Sequence, residues 1–204
     1  MRNKHRQKAG FSLIEIVISV ALFVLIILST TDIFRLVIAS QRKAIAAQNI
    51  QESLKYFLET ADKEIRTAKK NNGWCTGTSG VTFTFPGGAN DIYAIETAPN
   101  GTGNALIFRN YYDECVIYYL GNSNDGMTGR FMVQRFKGNT YQATIALPIS
   151  PAKVSISNLN LILSSVGPAA RPMVTMGLSA QTLSGNNVLA SMNIQTSLTS
   201  RFYR

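Results

Sequence analysis

Histidine is almost missing from this chain. Its single copy, His5, stands in a basic N-terminal stretch, so a chain processed to lose that stretch has none. Histidine is the commonest general base and the commonest metal ligand, and its scarcity weighs against both roles. Cysteine occurs twice, as Cys75 and Cys115. Two thiols without histidine do not build an ordinary zinc site, and their spacing excludes a C-x-x-C redox pair. No G-x-S-x-G, P-loop or dinucleotide fingerprint appears. Asp113-Glu114 is an adjacent acidic pair, and neighbours in a strand point to opposite faces, which makes poor partners for acid–base work. The residues therefore predict no catalytic site, no metal and no cofactor.

Concentrated charge is also scarce. The formal net charge is +9, but Arg2, Lys4, Arg6 and Lys8 supply four of these charges within the first eight residues. Without them 16 basic residues face 11 acidic ones, leaving +5. Apart from Arg66, Lys69 and Lys70 the basic residues are scattered, which argues against a nucleic-acid surface. Hydrophobic residues make up 46% of the chain, well away from the composition of disorder.

What is present begins with the leader. MRNKHRQKAG ends in Gly10 and is followed by 18 mostly apolar residues, Phe11 to Leu28. They predict a helix of roughly 27 Å, enough to cross a bilayer. Secretory signals carry an A-x-A-like cleavage site after the apolar run, and this one has none. Basic residues before the run predict a cytoplasmic N-terminus and a body on the far side. Glu15 is the anomaly, because a carboxylate at the bilayer centre costs about 2.5–3.5 kcal/mol on insertion scales.

From Ser29 to Lys70 there is no glycine and no proline. Ile50, Leu54, Phe57, Ala61, Ile65 and Ala68 recur at spacings of three and four, the apolar stripe of an amphipathic helix. Glu52, Lys55, Glu59, Asp62, Lys63 and Glu64 predict the solvated face, with Glu59 and Lys63 an i,i+4 pair. One helix is expected from Phe11 to Lys70, ended by Asn71-Asn72-Gly73 with Gly73 as C-cap.

The run K-A-G-F-S-L-I-E resembles the prepilin cleavage and methylation motif of the type IV pilin-like superfamily. Gly10 precedes an aromatic residue, and Glu15 is the fifth residue after the glycine. The resemblance covers residues 1 to about 40 and implies that a prepilin peptidase cuts between Gly10 and Phe11. It further implies N-methylation of the new Phe11 amine and pairing of Glu15 with the Phe11 amine of a neighbouring subunit. Pairing relieves the penalty of a buried lone carboxylate and sets the register of packing. The implied partners are the prepilin peptidase, other pilin or pseudopilin subunits, an inner-membrane assembly platform and, before assembly, the lipid bilayer. The helix departs from many major pilins in lacking a central proline, with Asp32 near that place.

After Trp74 short β-like runs alternate with turn signals. They are Val81–Phe85, Asp91–Glu96, Ala105–Phe108, Cys115–Leu120, Arg130–Phe136, Thr140–Ala146, Val154–Leu163, Met173–Ala180 and Val188–Leu198. Lys137-Gly138-Asn139 predicts a tight hairpin. The expected fold is α+β: a long N-terminal helix on a mostly antiparallel body. The expected divisions are a leader (1–10), a membrane or assembly half-helix (11–30), an amphipathic half-helix (31–72) and a β-rich body (73–204). Arg171–Leu178 and Gln195–Arg201 are similar to the tail of minor pilins and minor pseudopilins. Leu54–Arg66 is similar to the helix of the J-type minor pseudopilin of type II secretion.

A body facing an oxidising space makes Cys75 and Cys115 candidates for a disulfide. Asn122, Asn124, Asp125 and Gly126 offer one carboxylate, too few for an EF-hand loop, and are expected to turn a hairpin. Tyr111, Tyr112, Tyr118 and Tyr119 are expected to pack on a sheet. Two readings of function remain. One is a minor fibre subunit of the bacterial inner membrane, serving type II secretion or a type IV or competence pilus. The other is a fibre-tip module recognising DNA, a surface or a secreted substrate.

Overall fold

Leu13 to Arg66 forms one α-helix, α1, as the absence of glycine and proline requires. The structure, a computed structural model, describes residues 10, 12–75, 77–78, 81–85, 91–100, 103–122, 129–137, 145–152, 154–164, 171–184 and 187–201. The chain divides into two units, Met1–Ala44 and Ile45–Arg204, and α1 contributes to both.

In the second unit the predicted stripe is the buried one. Ile50, Leu54, Phe57, Ala61, Ile65 and Ala68 are all buried, and Ala46 extends the stripe by one turn. They pack into the main core with residues of both larger sheets. The helix stops four residues earlier than expected. The Thr67 N–H bonds both the Lys63 and Glu64 carbonyls, and the Thr67 hydroxyl donates to the same two. Lys69 then leaves helical pairing to donate its N–H to the Arg109 carbonyl at 2.9 Å. Asn72 and Gly73 do take positive φ values, 51° and 73°. They form the tight turn that returns the Trp74 N–H to the Asn71 carbonyl, not a helix C-cap.

Three distant groups close the helix end. The Tyr93 hydroxyl donates to the Ile65 carbonyl at 2.7 Å. The Arg201 N–H donates to the Arg66 carbonyl at 2.9 Å, and the Ser200 hydroxyl to the Ala68 carbonyl at 2.6 Å. Carbonyls at a helix end lack the usual i+4 partner, and these bonds supply one, the Ile65 carbonyl accepting the Ala68 N–H at 3.2 Å as well.

Ten strands are described. β1 (Gly77–Thr78) and β2 (Val81–Thr82) form a small ladder. β3 (Tyr93–Thr97), β4 (Asn104–Arg109), β5 (Glu114–Gly121), β6 (Arg130–Lys137) and β7 (Leu147–Pro148) make a five-stranded antiparallel sheet in that order. β8 (Ser155–Ser164), β9 (Met173–Ser184) and β10 (Asn187–Thr199) make a three-stranded antiparallel sheet in the order β10-β9-β8.

The five-stranded sheet is covered on both faces. Leu106, Phe108, Val116, Tyr118, Phe131 and Val133 enter the core beneath α1. Ala105, Ile107, Cys115, Ile117, Tyr119 and Phe136 enter a second core on the opposite face, with Phe83 and Phe85. That is why its strands read as continuous apolar runs instead of alternating ones. It also explains Val81–Phe85, of which only Val81–Thr82 is strand: Phe83 and Phe85 are spent as cover for this second core. β6 pairs with β7 through Met132 with Pro148 and Val133 with Leu147, and the expected hairpin at Lys137-Gly138-Asn139 falls on residues that are mostly not described. Residues 138–144 lie outside the described residues. At Gly129 a Cβ would fall 2.4 Å from the Ile156 carbonyl oxygen, so only glycine permits the bond from the Ile156 N–H to the Gly129 carbonyl at 2.8 Å.

Candidate assembly segment and an exposed aromatic corner

From Ile16 to Thr31, α1 exposes apolar surface and no charge. Ser12 opens α1: its carbonyl accepts the N–H groups of Glu15 at 3.0 Å and Ile16 at 3.3 Å. Glu15 thus sits in the first turn, where the partial positive charge of the helix N-terminus favours a carboxylate. Ile16 to Thr31 is then free of charge. The hydroxyl groups in this stretch are satisfied internally, because Ser19, Ser29, Thr30 and Thr31 each donate to the carbonyl four residues back at 2.8–2.9 Å. Such back-bonding lets hydroxyls enter an apolar medium without orphan donors. Every large apolar side chain from Leu13 to Ile38 is exposed. The helix carries an 18-residue window of mean hydropathy 2.7, long and apolar enough to cross a membrane. Gly10 is exposed, with open space around it. Phe11 and the leader residues 1–9 lie outside the described residues.

Residues 5–31 match the family model described as the prokaryotic N-terminal methylation motif. This chain carries a prepilin-type N-terminal methylation motif. The motif is characteristic of pilins and pseudopilins, and it implies processing by prepilin peptidase and assembly with other pilin subunits. With the apolar helix it supports a pilin-like protein anchored in the inner membrane. No curated protein and no solved structure matches the chain.

Cys75 and Cys115 are joined as a disulfide, with Cα atoms 5.7 Å apart. The bond lies in the second core and fixes the chain after α1 to the start of β5. Beside it is a corner whose composition gave no warning. Asp113 sits in the β4–β5 turn with φ of 64°. Its carboxylate accepts from Lys69 Nζ at 3.1 Å and from Arg109 Nη2 at 2.9 Å. The Lys69 hydrogen bond, with the Arg109 charge, holds this carboxyl below its usual range. The Trp74 indole N–H donates to the Asp113 carbonyl at 2.8 Å. The Arg109 guanidinium lies 4.8 Å from the centroid of the Trp74 ring, and Lys69 Nζ 4.8 Å from that of Tyr111.

The four tyrosines separate in pairs. Tyr118 and Tyr119 are buried in the two cores, as sheet packing predicts, whereas Tyr111 and Tyr112 are 56% and 76% exposed. Asn110 explains the difference. Its Oδ1 accepts the N–H groups of Tyr112 and Glu114, and its Nδ2 donates to the Glu114 carboxylate at 3.0 Å. The turn it fixes displays both rings. Asn at the head of a turn was the available signal. Asp113 and Glu114 address separate partners, so this is a structural corner and not an acid pair. Asn122 is described, but Asn124, Asp125 and Gly126 of the expected loop lie outside the described residues. Among the described residues no group of three His, Cys, Asp or Glu side chains converges as a metal site would require.

Proposed function

We propose that this chain is a minor pilin or minor pseudopilin. In this reading prepilin peptidase cuts between Gly10 and Phe11, and the new Phe11 amine is methylated. Residues 11–30 hold the subunit in the bilayer until an inner-membrane assembly platform draws it into a fibre. Residues 31–72 and 73–204 then serve as the amphipathic half-helix and the β-rich body. The fibre is a type II secretion pseudopilus or a type IV pilus-like one. The subunit supplies packing and no catalysis.

Glu15 carries the argument. A carboxylate followed by 16 uncharged residues is a liability in lipid and an asset beside a cationic amine. Cleavage before Phe11 would create that amine one helical turn away, and the neighbouring subunit would present an identical one. The unbroken course of α1 from Leu13 to Arg66, with Asp32 inside it, supports a minor over a major subunit, because it offers no proline at which a helix would melt. Similarity of Leu54–Arg66 to the J-type pseudopilin helix supports a minor over a major subunit as well.

The deciding experiment is the intact mass and N-terminal sequence of the protein taken from its native membrane. A chain starting at methylated Phe11 is expected. A chain still starting at Met1, in cells with active prepilin peptidase, overturns the reading.

A further inference from the structure

A cleft of about 380 Å³ lies where β5 ends and β6 begins, on the second-core face of the five-stranded sheet. Met132 and Ala146 pack against that core and give the cleft an apolar wall, which Pro148 extends. A Cβ at Gly121 would fall 2.6 Å from Met132 Cγ, so the missing side chain is what lets Met132 lie against the end of β5. Asn100 is held at the rim, its Nδ2 donating to the Leu120 carbonyl at 3.0 Å. Asn122, which is exposed, lines the cleft as well.

Arg130 is the one charged residue of the lining, and no carboxylate joins it there. It is half-buried. Among the described residues it makes no hydrogen bond or ion pair, whereas the other two arginines of this sheet are matched, Arg109 with Asp113 and Arg135 with Glu64. A guanidinium carries five N–H donors in a planar fork that fits the two oxygens of a carboxylate. An apolar wall beside an unpaired cation selects an anion with an apolar body. The volume is near the lower end of the range for ligand sites, about 300–1,000 Å³, which suits the end of a chain and not a large molecule. Pro148 belongs to β7, the outermost strand of its sheet, with no further strand beside it among the described residues. A chain whose end is held in the cleft can leave along that edge.

We propose that this cleft binds the carboxyl end of a polypeptide whose last residue is apolar. Arg130 takes the terminal carboxylate at two points, an arrangement about twice as strong as neutral hydrogen bonds. Met132, Ala146 and Pro148 receive the last side chain. The Asn122 carboxamide, which both donates and accepts, meets the main-chain groups just before the end. A terminal carboxyl is ionised at neutral pH, since its ordinary pKa is about 3.3–3.7, so the charge the cleft calls for is present on any such chain. The proposal is independent of the fibre reading above, since it needs neither cleavage at Gly10 nor the Glu15 pair.

Saturation-transfer NMR tests it on the full chain in phosphatidylcholine nanodiscs, with empty discs as the blank. The probes are N-acetyl-phenylalanine and its amide, which share one body and differ in the terminal charge. The acid is expected to bind and the amide to bind more weakly by about tenfold or more. Arg130→Gln should weaken the acid to the level of the amide. Ala146→Phe, which fills the cleft and keeps Arg130, should weaken both probes. Lys137→Gln, at the far end of β6, should change neither. Arg130 and Ala146 are half-buried, and thermal unfolding checks that each variant is folded. Equal binding of acid and amide overturns the proposal, as does no binding of the acid, or binding that survives Arg130→Gln. Phenylacetate, which lacks the peptide group, should bind more weakly than N-acetyl-phenylalanine; the reverse order overturns the polypeptide end and assigns the cleft to a free acid.

Discussion

Arg135 on β6 holds both carboxylate oxygens of Glu64 at 3.0 Å, and the Tyr118 hydroxyl of β5 donates to the same carboxylate. The helix is thereby fixed in rotation and in height on the sheet by a charged group, within a contact otherwise made of apolar side chains. Burial alone would lower the pKa of Arg135, but the Glu64 hydrogen bond and charge overcome it and raise it.

Glu64→Ala strands a guanidinium and a buried phenol at once. Both charged side chains of the pair keep partial solvent access, which softens the loss. We expect about 1–2 kcal/mol of destabilisation. Urea unfolding of the variant reads it directly, and Glu64→Gln, which keeps an acceptor for Tyr118, should lose less.

Alkaline pH should weaken the body at two named points. Burial raises the Tyr93 and Tyr118 hydroxyls well above their ordinary value of 10.0, and for Tyr118 the Glu64 charge adds to it. A group whose pKa is raised on folding gives stability that is whole below the unfolded value and lost as pH rises beyond it. Stability should hold to about pH 10 and then fall. Tyr93→Phe, which cannot ionise, should flatten that fall while giving up the bond to the Ile65 carbonyl at neutral pH.

Removing the disulfide should cost about 4 kcal/mol in the chain-entropy model, given its sequence separation of 40. The Cys75→Ser, Cys115→Ser double variant checks this by thermal unfolding. Because Trp74 is the only tryptophan and neighbours Cys75, its fluorescence should shift before the global transition.

Glu15→Ala should leave cleavage before Phe11 intact and prevent the subunit from entering fibres. Immunoblots of processed chain against sheared fibres measure the two steps separately. Normal incorporation of Glu15→Ala would sink the pairing role.

Much of this was legible in residue order. The stripe from Ile50 to Ala68 announced a buried helix face because a period of 3.6 admits few other readings, and the stretch from Gly10 to Glu15 carried the methylation motif that the family model matches. The end of α1 was not legible, since it is set by Tyr93, Ser200 and Arg201, groups far along the chain. Glu64 read as solvated because a charge on a helix ordinarily is, and nothing near it in sequence points to Arg135. The corner at Asp113 was hidden for the same reason: Lys69, Trp74 and Arg109 meet only after the helix has docked. Strands buried on both faces kept their apolar runs visible but lost the alternation that would have placed their ends.

The order of synthesis gives the helix terminus a further meaning. α1 is made early, yet the Ala68 carbonyl waits for Ser200, a separation of 132 residues, and the Arg66 carbonyl waits for Arg201. A nascent or truncated chain keeps these acceptors open, so the fold cannot be sealed from its first half alone. Completion of β10 is what certifies the helix, and the molecule carries its own test that it has been made through that strand.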